Sequence, residues 1–224
     1  MKTSDFFDAQ HDEDLLPLPL HFRLLRRFER TREEVAAALL PGGEALLDIG
    51  CGTGELVARA AGRYGRVVAA DISPAVVSAA HAGRGDVATW VVLDASRPLP
   101  FADGSFTTIV SLSTLQYLFD PAAFLRDAHR LLRPGGTLLV ETPNVAYLPQ
   151  RLRLLAGRPI RTSFWKHGID GGNLHYFTVD SLRALVADAG FRPLEVTGSG
   201  VFAAARTWRV SLLCGNIFLR ATRP

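Results

Sequence analysis

An apolar run from Ala45 to Ile49 leads directly into Gly50, Gly52 and Gly54, and a helical pattern starts near Glu55. Glycine is required where backbone turns sharply and passes close to a ligand, because a Cβ there would collide with it. The ligand therefore lies over this turn, outside the carboxyl end of a strand. A dinucleotide fingerprint reads G-x-G-x-x-G, whereas here the third glycine comes one residue early and Glu55 takes the place of the last one. A carboxylate at that point is a poor neighbour for a pyrophosphate, although it suits the positive end of a helix dipole. The spacing thus points to a nucleoside without a diphosphate. Two further acids, Asp71 in VVAADIS and Asp94 in WVVLDAS, end apolar runs of their own. An acid about 20 residues beyond the first in such a fold reaches a ribose, and the carboxylate of Asp71 has lone pairs for both hydroxyls.

Other side chains with chemical potential are more scattered. Cys51 and Cys214 are too few for a disulfide framework and show no metal spacing, so no metal is expected. Cys51 lacks an activating base nearby and is expected to offer only backbone. His167 and His175 lie in a long connecting segment, and histidine is the side chain that titrates near neutrality. Tyr117 and Gln116 are expected at the floor of an acceptor pocket, equally readable as core and cap residues. Phe6 and Phe7 are readable as a hydrophobic anchor for the first helix or, as the family resemblance given below implies, as a closure over the site.

The elements that must carry these residues follow from hydrophobic rhythm. Phe22, Leu25, Phe28, Val35 and Leu39 recur at helical spacing over Leu20 to Leu40, and Pro41-Gly42-Gly43 ends that helix. Strands are then predicted at 45–49, 66–70, 89–93, 106–111, 137–141, 192–197 and 216–221. Their alternation with helical patterns implies parallel strands joined by right-handed crossovers. Asp120-Pro121 opens a helix with the stripe Phe124, Leu125, Ala128, Leu131 and Leu132, stopped by Arg133-Pro134-Gly135-Gly136. Thr178 opens another, with Gly190 in the left-handed cap position. The segment from Pro143 to Phe177, with Tyr147, Trp165 and Tyr176, is long for a connection and is expected to form a substrate lid.

The whole chain of 224 residues fits one domain, residues 43–224, preceded by a helical cap over 1–42. Hydrophobic residues make up 48% and charged residues 21%, which excludes general disorder. The net charge is +3, carried almost entirely by arginine, with local concentrations at 23–32 and 151–161 rather than one dense stripe. That distribution argues against nucleic acid as a partner. No apolar run has the length of a membrane span, and the acidic amino terminus is unlike a signal peptide, so a cytoplasmic protein without membrane contact is expected. Monomer and homodimer fit equally well.

The segment Asp48-Ile49-Gly50-Cys51-Gly52-Thr53-Gly54 resembles the first signature of class I S-adenosylmethionine-dependent methyltransferases. RPLPFADGSFTTIVS and LLRPGGTLLVE are similar to the fourth-strand and fifth-strand regions of that family. The resemblance implies an α/β, Rossmann-like, seven-stranded and mostly parallel sheet with helices on both faces and an antiparallel last strand. It implies S-adenosylmethionine as cofactor, held by Asp48, Gly50, Cys51, Gly52, Gly54, Asp71, Ile72, Asp94, Ala95, Ser111 and Leu112. In this reading Asp94 accepts from the adenine amino group, while Asp48 organises the glycine loop and reaches the methionine amino group through water. The implied reaction is methyl transfer to an oxygen, nitrogen or carbon of a small-molecule acceptor, with His175, His167 and Tyr117 as candidate catalytic groups. STLQ at 113–116 and GGNLHYFTVDSLRALVADAGF are similar to MetW-type proteins, which implies the alternative of a partner module supporting another biosynthetic enzyme. The intervening FWKHGIDGG and a complete seventh strand depart from that type. An RNA-modifying role lacks both an appended RNA-binding module and an NPPY-like motif.

Overall fold

The computed structural model describes residues 30–160, 173–199 and 209–224. The first described helix, α1 (Arg32–Leu39), is shorter at its start than the predicted Leu20–Leu40, whose residues before 30 lie outside the described ones. A reciprocal capping box sets its start. Thr31 Oγ1 accepts from the Glu34 amide at 3.2 Å, and Glu34 Oε2 accepts from the Thr31 amide at 2.9 Å, so two orphan donors of the first turn are satisfied together.

The remaining elements are β1 (Gly43–Ile49), α2 (Glu55–Ala60), β2 (Tyr64–Asp71), α3 (Pro74–Arg84), β3 (Thr89–Val92), β4 (Phe106–Leu112), α4 (Pro121–Leu131), β5 (Leu132–Pro143), α5 (Leu148–Leu155), α6 (Val179–Asp188), β6 (Arg192–Ser199), α7 (Val210–Leu213) and β7 (Asn216–Thr222). All seven predicted strands are present, in the order β3-β2-β1-β4-β5-β7-β6. β1 pairs in parallel with β2 and β4, β2 with β3, and β4 with β5, whereas β7 lies antiparallel between β5 and β6. The strand order reverses between β1 and β4. In an open α/β sheet that reversal opens a crevice beyond the carboxyl ends of the strands.

Helix starts read from the sequence also stand. Asp120 caps α4 by accepting from the Ala123 amide at 2.8 Å, and Thr178 caps α6 by accepting from the Ser181 amide at 3.2 Å. Gly190 follows α6 at φ +92°, which a Cβ would strain. The stop signal after α4 does more than end a helix. Leu132 already pairs with Phe106, and the register shifts before Thr108 meets Thr137, so Arg133–Gly136 is an irregular entry into a strand longer than predicted.

Strand alternation divides the core between the two faces. Leu47, Ile49, Ile109, Leu138 and Val140 pack with Leu125 and Leu131 of α4 and Leu182 and Val186 of α6. Leu46, Val67, Ala69, Val110 and Leu139 pack with Val35 and Ala36 of α1 and Leu56 and Val57 of α2. Asp48 and Glu141 share parity with Leu46 and Leu139. Both acids therefore belong to the face that α1 covers, and both are buried.

Candidate functional site

A cleft of about 430 Å³ opens over the carboxyl ends of β1, β2 and β4. Of the residues predicted to hold a nucleoside, Asp48, Gly50, Cys51, Gly52, Asp71, Ile72, Asp94, Ala95 and Leu112 line it, and so does Tyr117. Gly54 and Ser111 are not among the lining residues. Ser111 is fully buried behind the strand end. His167 lies outside the described residues, as do Phe6, Phe7 and Trp165. His175 does not line the cleft, but its amide and that of Leu174 donate to the Gln116 carbonyl at 3.1 and 2.8 Å. It is thereby tied to the short turn Leu115–Tyr117 that carries Tyr117. Gln116 itself is buried, and its Oε1 has no hydrogen-bond partner among the described residues.

The three glycines of the turn do three different jobs. Gly50, at φ +78°, could not carry a Cβ, which would stand 2.0 Å from Thr114 Oγ1. Gly52, at φ +51°, has no atom of the other described residues, its chain neighbours apart, within 4 Å of where its Cβ would be, so it presents bare backbone to the open cleft. Gly54 caps α2 at φ +71°, and a Cβ there would meet the Trp90 ring at 2.5 Å. The third glycine is thus set by packing of α2 against β3, the role such a glycine has in related turns.

The loop is organised by a different acid from the one expected. Asp71 Oδ2 accepts from the Gly52 amide at 3.1 Å, and its Oδ1 accepts from the Ser73 amide at 3.1 Å. The Gly50 and Cys51 amides donate to the Ala70 carbonyl at 2.8 and 3.0 Å. Asp48 is buried beneath the loop. Burial, and then the neighbouring Asp71 carboxylate, push its carboxyl from the usual range up to about 7, against the opposing pull of Arg32. Burial and the same two acids push the Cys51 thiol well up, consistent with a residue that offers only backbone.

Asp94 Oδ1 accepts from the Ser96 amide at 2.9 Å, which turns the chain at the end of the third strand. Glu55 lies at the start of α2 with Oε1 on Arg59 at 2.8 Å and Oε2 on Arg84 at 2.6 Å. These hydrogen bonds, Arg84's first, hold its carboxyl below the usual range.

Sequence reasoning missed a second group of lining residues: Arg32, Glu33, Ser113, Thr114 and Leu118. Arg32 is the one lysine or arginine among the described residues that line the cleft. Its Nη1 donates to Ser113 Oγ at 2.8 Å, and Ser113 Oγ donates to Glu141 Oε2 at 2.8 Å. Ser113 has φ +50°, a conformation that side chains other than glycine rarely take. The signal available in sequence was the T-R-E-E capping box that places Arg32 at the first turn of α1.

A glycine turn after β1, acids closing the next two strand ends and an open crevice at the strand-order reversal make a Rossmann-like sheet with a cleft suited to a nucleoside. Residues 47–140 match the family described as Methyltransferase domain. The chain is 38% identical over 130 residues to a malonyl-[acyl-carrier protein] O-methyltransferase of Hahella chejuensis, covering 57% of this chain and 42% of that protein. It is 36% identical over 149 residues to the ubiquinone/menaquinone biosynthesis C-methyltransferase UbiE of the same organism, covering 62% of this chain and 57% of that protein. The chain thus spans about half the length of these curated relatives. A solved S-adenosylmethionine-dependent methyltransferase from Thermotoga maritima superposes with a TM-score of 0.68 at 21% identity, covering 99% of this chain and 97% of that one, which shows the shared fold. Residues 47–140 are thus similar to an S-adenosylmethionine-dependent methyltransferase domain, whose cofactor is S-adenosylmethionine.

Proposed function

We propose that this protein transfers a methyl group from S-adenosylmethionine to an oxygen atom of a small organic acceptor. The observation that carries the reading is the bare backbone of Gly52 facing a cleft ringed by Asp48, Asp71 and Asp94. That donor set fits the nucleoside. Each Asp71 oxygen keeps accepting capacity beyond its one amide, enough for the two ribose hydroxyls. Asp94 suits the adenine amino group, with Ile72, Ala95 and Leu112 as the apolar walls. Asp48 suits the ammonium and Arg32 the carboxylate of the methionine end. When bound, the donor supplies an electrophilic methyl group on a sulfonium.

The chain's own residues then have to orient the acceptor and exclude water, which accounts for much of the rate in an in-line displacement. Tyr117 and Ser113 give the cleft a polar wall beside the strand end, suited to an acceptor hydroxyl. The segment 143–177 is the proposed lid over that acceptor; its residues 161–172 lie outside the described ones, and the His175 amide ties its end to the Gln116 carbonyl. Relatives named as O- and C-methyltransferases support methyl transfer, and the polar wall of Tyr117 and Ser113 is what favours oxygen as the methylated atom.

Titration calorimetry with S-adenosylhomocysteine tests the cofactor half, with a micromolar dissociation constant expected. Absence of heat with both the donor and its product would sink the proposal. Release of S-adenosylhomocysteine in the presence of phenols and carboxylic acids tests the acceptor half. Binding without turnover on any of them would return the reading to a partner module.

A further inference from the structure

Beyond the cofactor contacts, one buried acid remains without a task. Glu141 lies two residues before the end of β5 on the face that α1 covers, fully buried, and its Oε1 has no hydrogen-bond partner among the described residues. A buried polar atom in that state costs free energy unless something else is gained. Its other oxygen accepts from Ser113 Oγ at 2.8 Å, and the Glu141 carbonyl accepts from the Ser113 amide at 3.0 Å. These two bonds pin Ser113 at the left-handed φ it holds, directly after β4 and on the wall of the cleft. Ser113 Oγ thus donates inward to a buried carboxylate, accepts from Arg32 at 2.8 Å, and keeps one lone pair for a group in the cleft.

We propose that Ser113 and Glu141 form a proton relay that takes the acceptor's hydroxyl proton out of the cleft during methyl transfer. The inference rests on the oxygen-acceptor reading above. As the acceptor oxygen forms its bond to the methyl group, the sulfur–carbon bond breaks and its electron pair goes to sulfur. The acceptor's proton passes to Ser113 Oγ, while the proton already on Ser113 passes to Glu141 Oε2, so that Ser113 ends neutral and Glu141 protonated. Arg32 stabilises the partial negative charge on Oγ during the transfer. Ser113 is the residue that touches the acceptor; Glu141 acts through it.

The groups facing Glu141 are Ser113 from the end of β4 and Arg32 and Glu33 from α1. Burial raises the Glu141 carboxyl above the ordinary carboxylate range, and Arg32 and Ser113 limit the rise. An acid so held is a better proton acceptor than a solvated carboxylate. Rate should therefore rise with pH as Glu141 ionises.

The test uses the full chain and its Ser113→Ala, Glu141→Gln and Glu141→Asp variants, with S-adenosylmethionine as donor and 3,4-dihydroxybenzoate as the hydroxyl probe. General-base assistance contributes roughly a hundred-fold or more, so kcat is expected to fall by at least about ten-fold in Ser113→Ala and Glu141→Gln. The affinity for S-adenosylhomocysteine, measured by calorimetry, should stay within about three-fold. The acidic limb of the kcat profile should disappear in Glu141→Gln and return in Glu141→Asp. An acidic limb that survives in Glu141→Gln and is lost in His175→Asn would overturn the relay.

Infrared spectroscopy gives a readout that does not need the probe to be methylated. A protonated-carboxyl band absent from Glu141→Gln should titrate with pH and shift promptly in heavy water, and the shift should slow in Ser113→Ala. A Glu141 proton that exchanges no differently without Ser113 overturns the relay whether or not turnover occurs. Failure of turnover with normal infrared behaviour counts instead against the acceptor reading.

Discussion

At the scale of single residues, the site is governed by acids brought closer together than their charges favour. Asp48 is buried beside Asp71, and its carboxyl titrates at about 7. The folded protein holds this proton more tightly than the unfolded chain, whose aspartate has its ordinary value near 3.8. The resulting stabilisation is complete below that unfolded value and is lost as pH rises through about 7. Replacing Asp48 with Asn should therefore stabilise the protein by roughly 2 kcal/mol more at pH 8 than at pH 5, read from denaturant midpoints. The same substitution should remove a pH dependence of donor binding. In the wild type, affinity for the cationic donor is expected to tighten by about ten-fold between pH 6 and pH 8 as Asp48 ionises. Calorimetry at the two pH values checks it, and an equal slope in Asp48→Asn contradicts it.

The glycines make a second contrast at this scale. Gly52→Ala meets open space but must hold φ +51° in the cleft. It should lower S-adenosylhomocysteine affinity by about ten-fold or more while costing only about 1 kcal/mol of stability. Gly54→Ala drives a Cβ toward Trp90 at a positive φ and should cost about 2–3 kcal/mol, with its loss of binding following from misplacement of α2.

Among elements, α1 matters more to the site than its eight residues suggest. It covers the face bearing Asp48 and Glu141, and its first turn delivers Arg32 to the cleft. Thr31→Ala removes the capping box and should cost about 1 kcal/mol. Because the loosened turn carries Arg32, donor KM should also rise by a few-fold while Thr31→Ser restores both. A change in stability with unaltered KM would separate the cap from the site.

For the whole molecule, the site lies at one end of the sheet and the stabilising closures at the other. Arg223, following β7, donates through Nη1 to the carbonyls of His129, Arg130 and Leu132. It thereby satisfies the last carbonyls of α4 at the negative end of that helix, where a cation is favoured. Arg223→Ala should cost about 1–3 kcal/mol, seen as a lower Tm. Affinity for S-adenosylhomocysteine should be unchanged, because β5 begins at Leu132 and the cleft lies beyond its far end. No helix among the described residues is long and apolar enough to cross a membrane.

Local chemistry made much of this legible in advance. Seven apolar runs gave seven strands, because alternation and turn residues are written within a few positions of one another. The glycine turn, Asp71 and Asp94 were readable because strand ends and backbone strain are local properties. What the chain could not declare by itself were the partnerships across distance. Arg32, Ser113 and Glu141 lie far apart in sequence, and only sheet register together with the seating of α1 joins them by two 2.8 Å bonds. The same holds for the tie from Asp71 to Gly52 and for the packing of Gly54 on Trp90. The amino-acid sequence determined which strand ends would be acidic and where the backbone would be bare. The tertiary structure decided which acids are buried, and burial is what raises the Asp48 and Glu141 carboxyls above the ordinary carboxylate range.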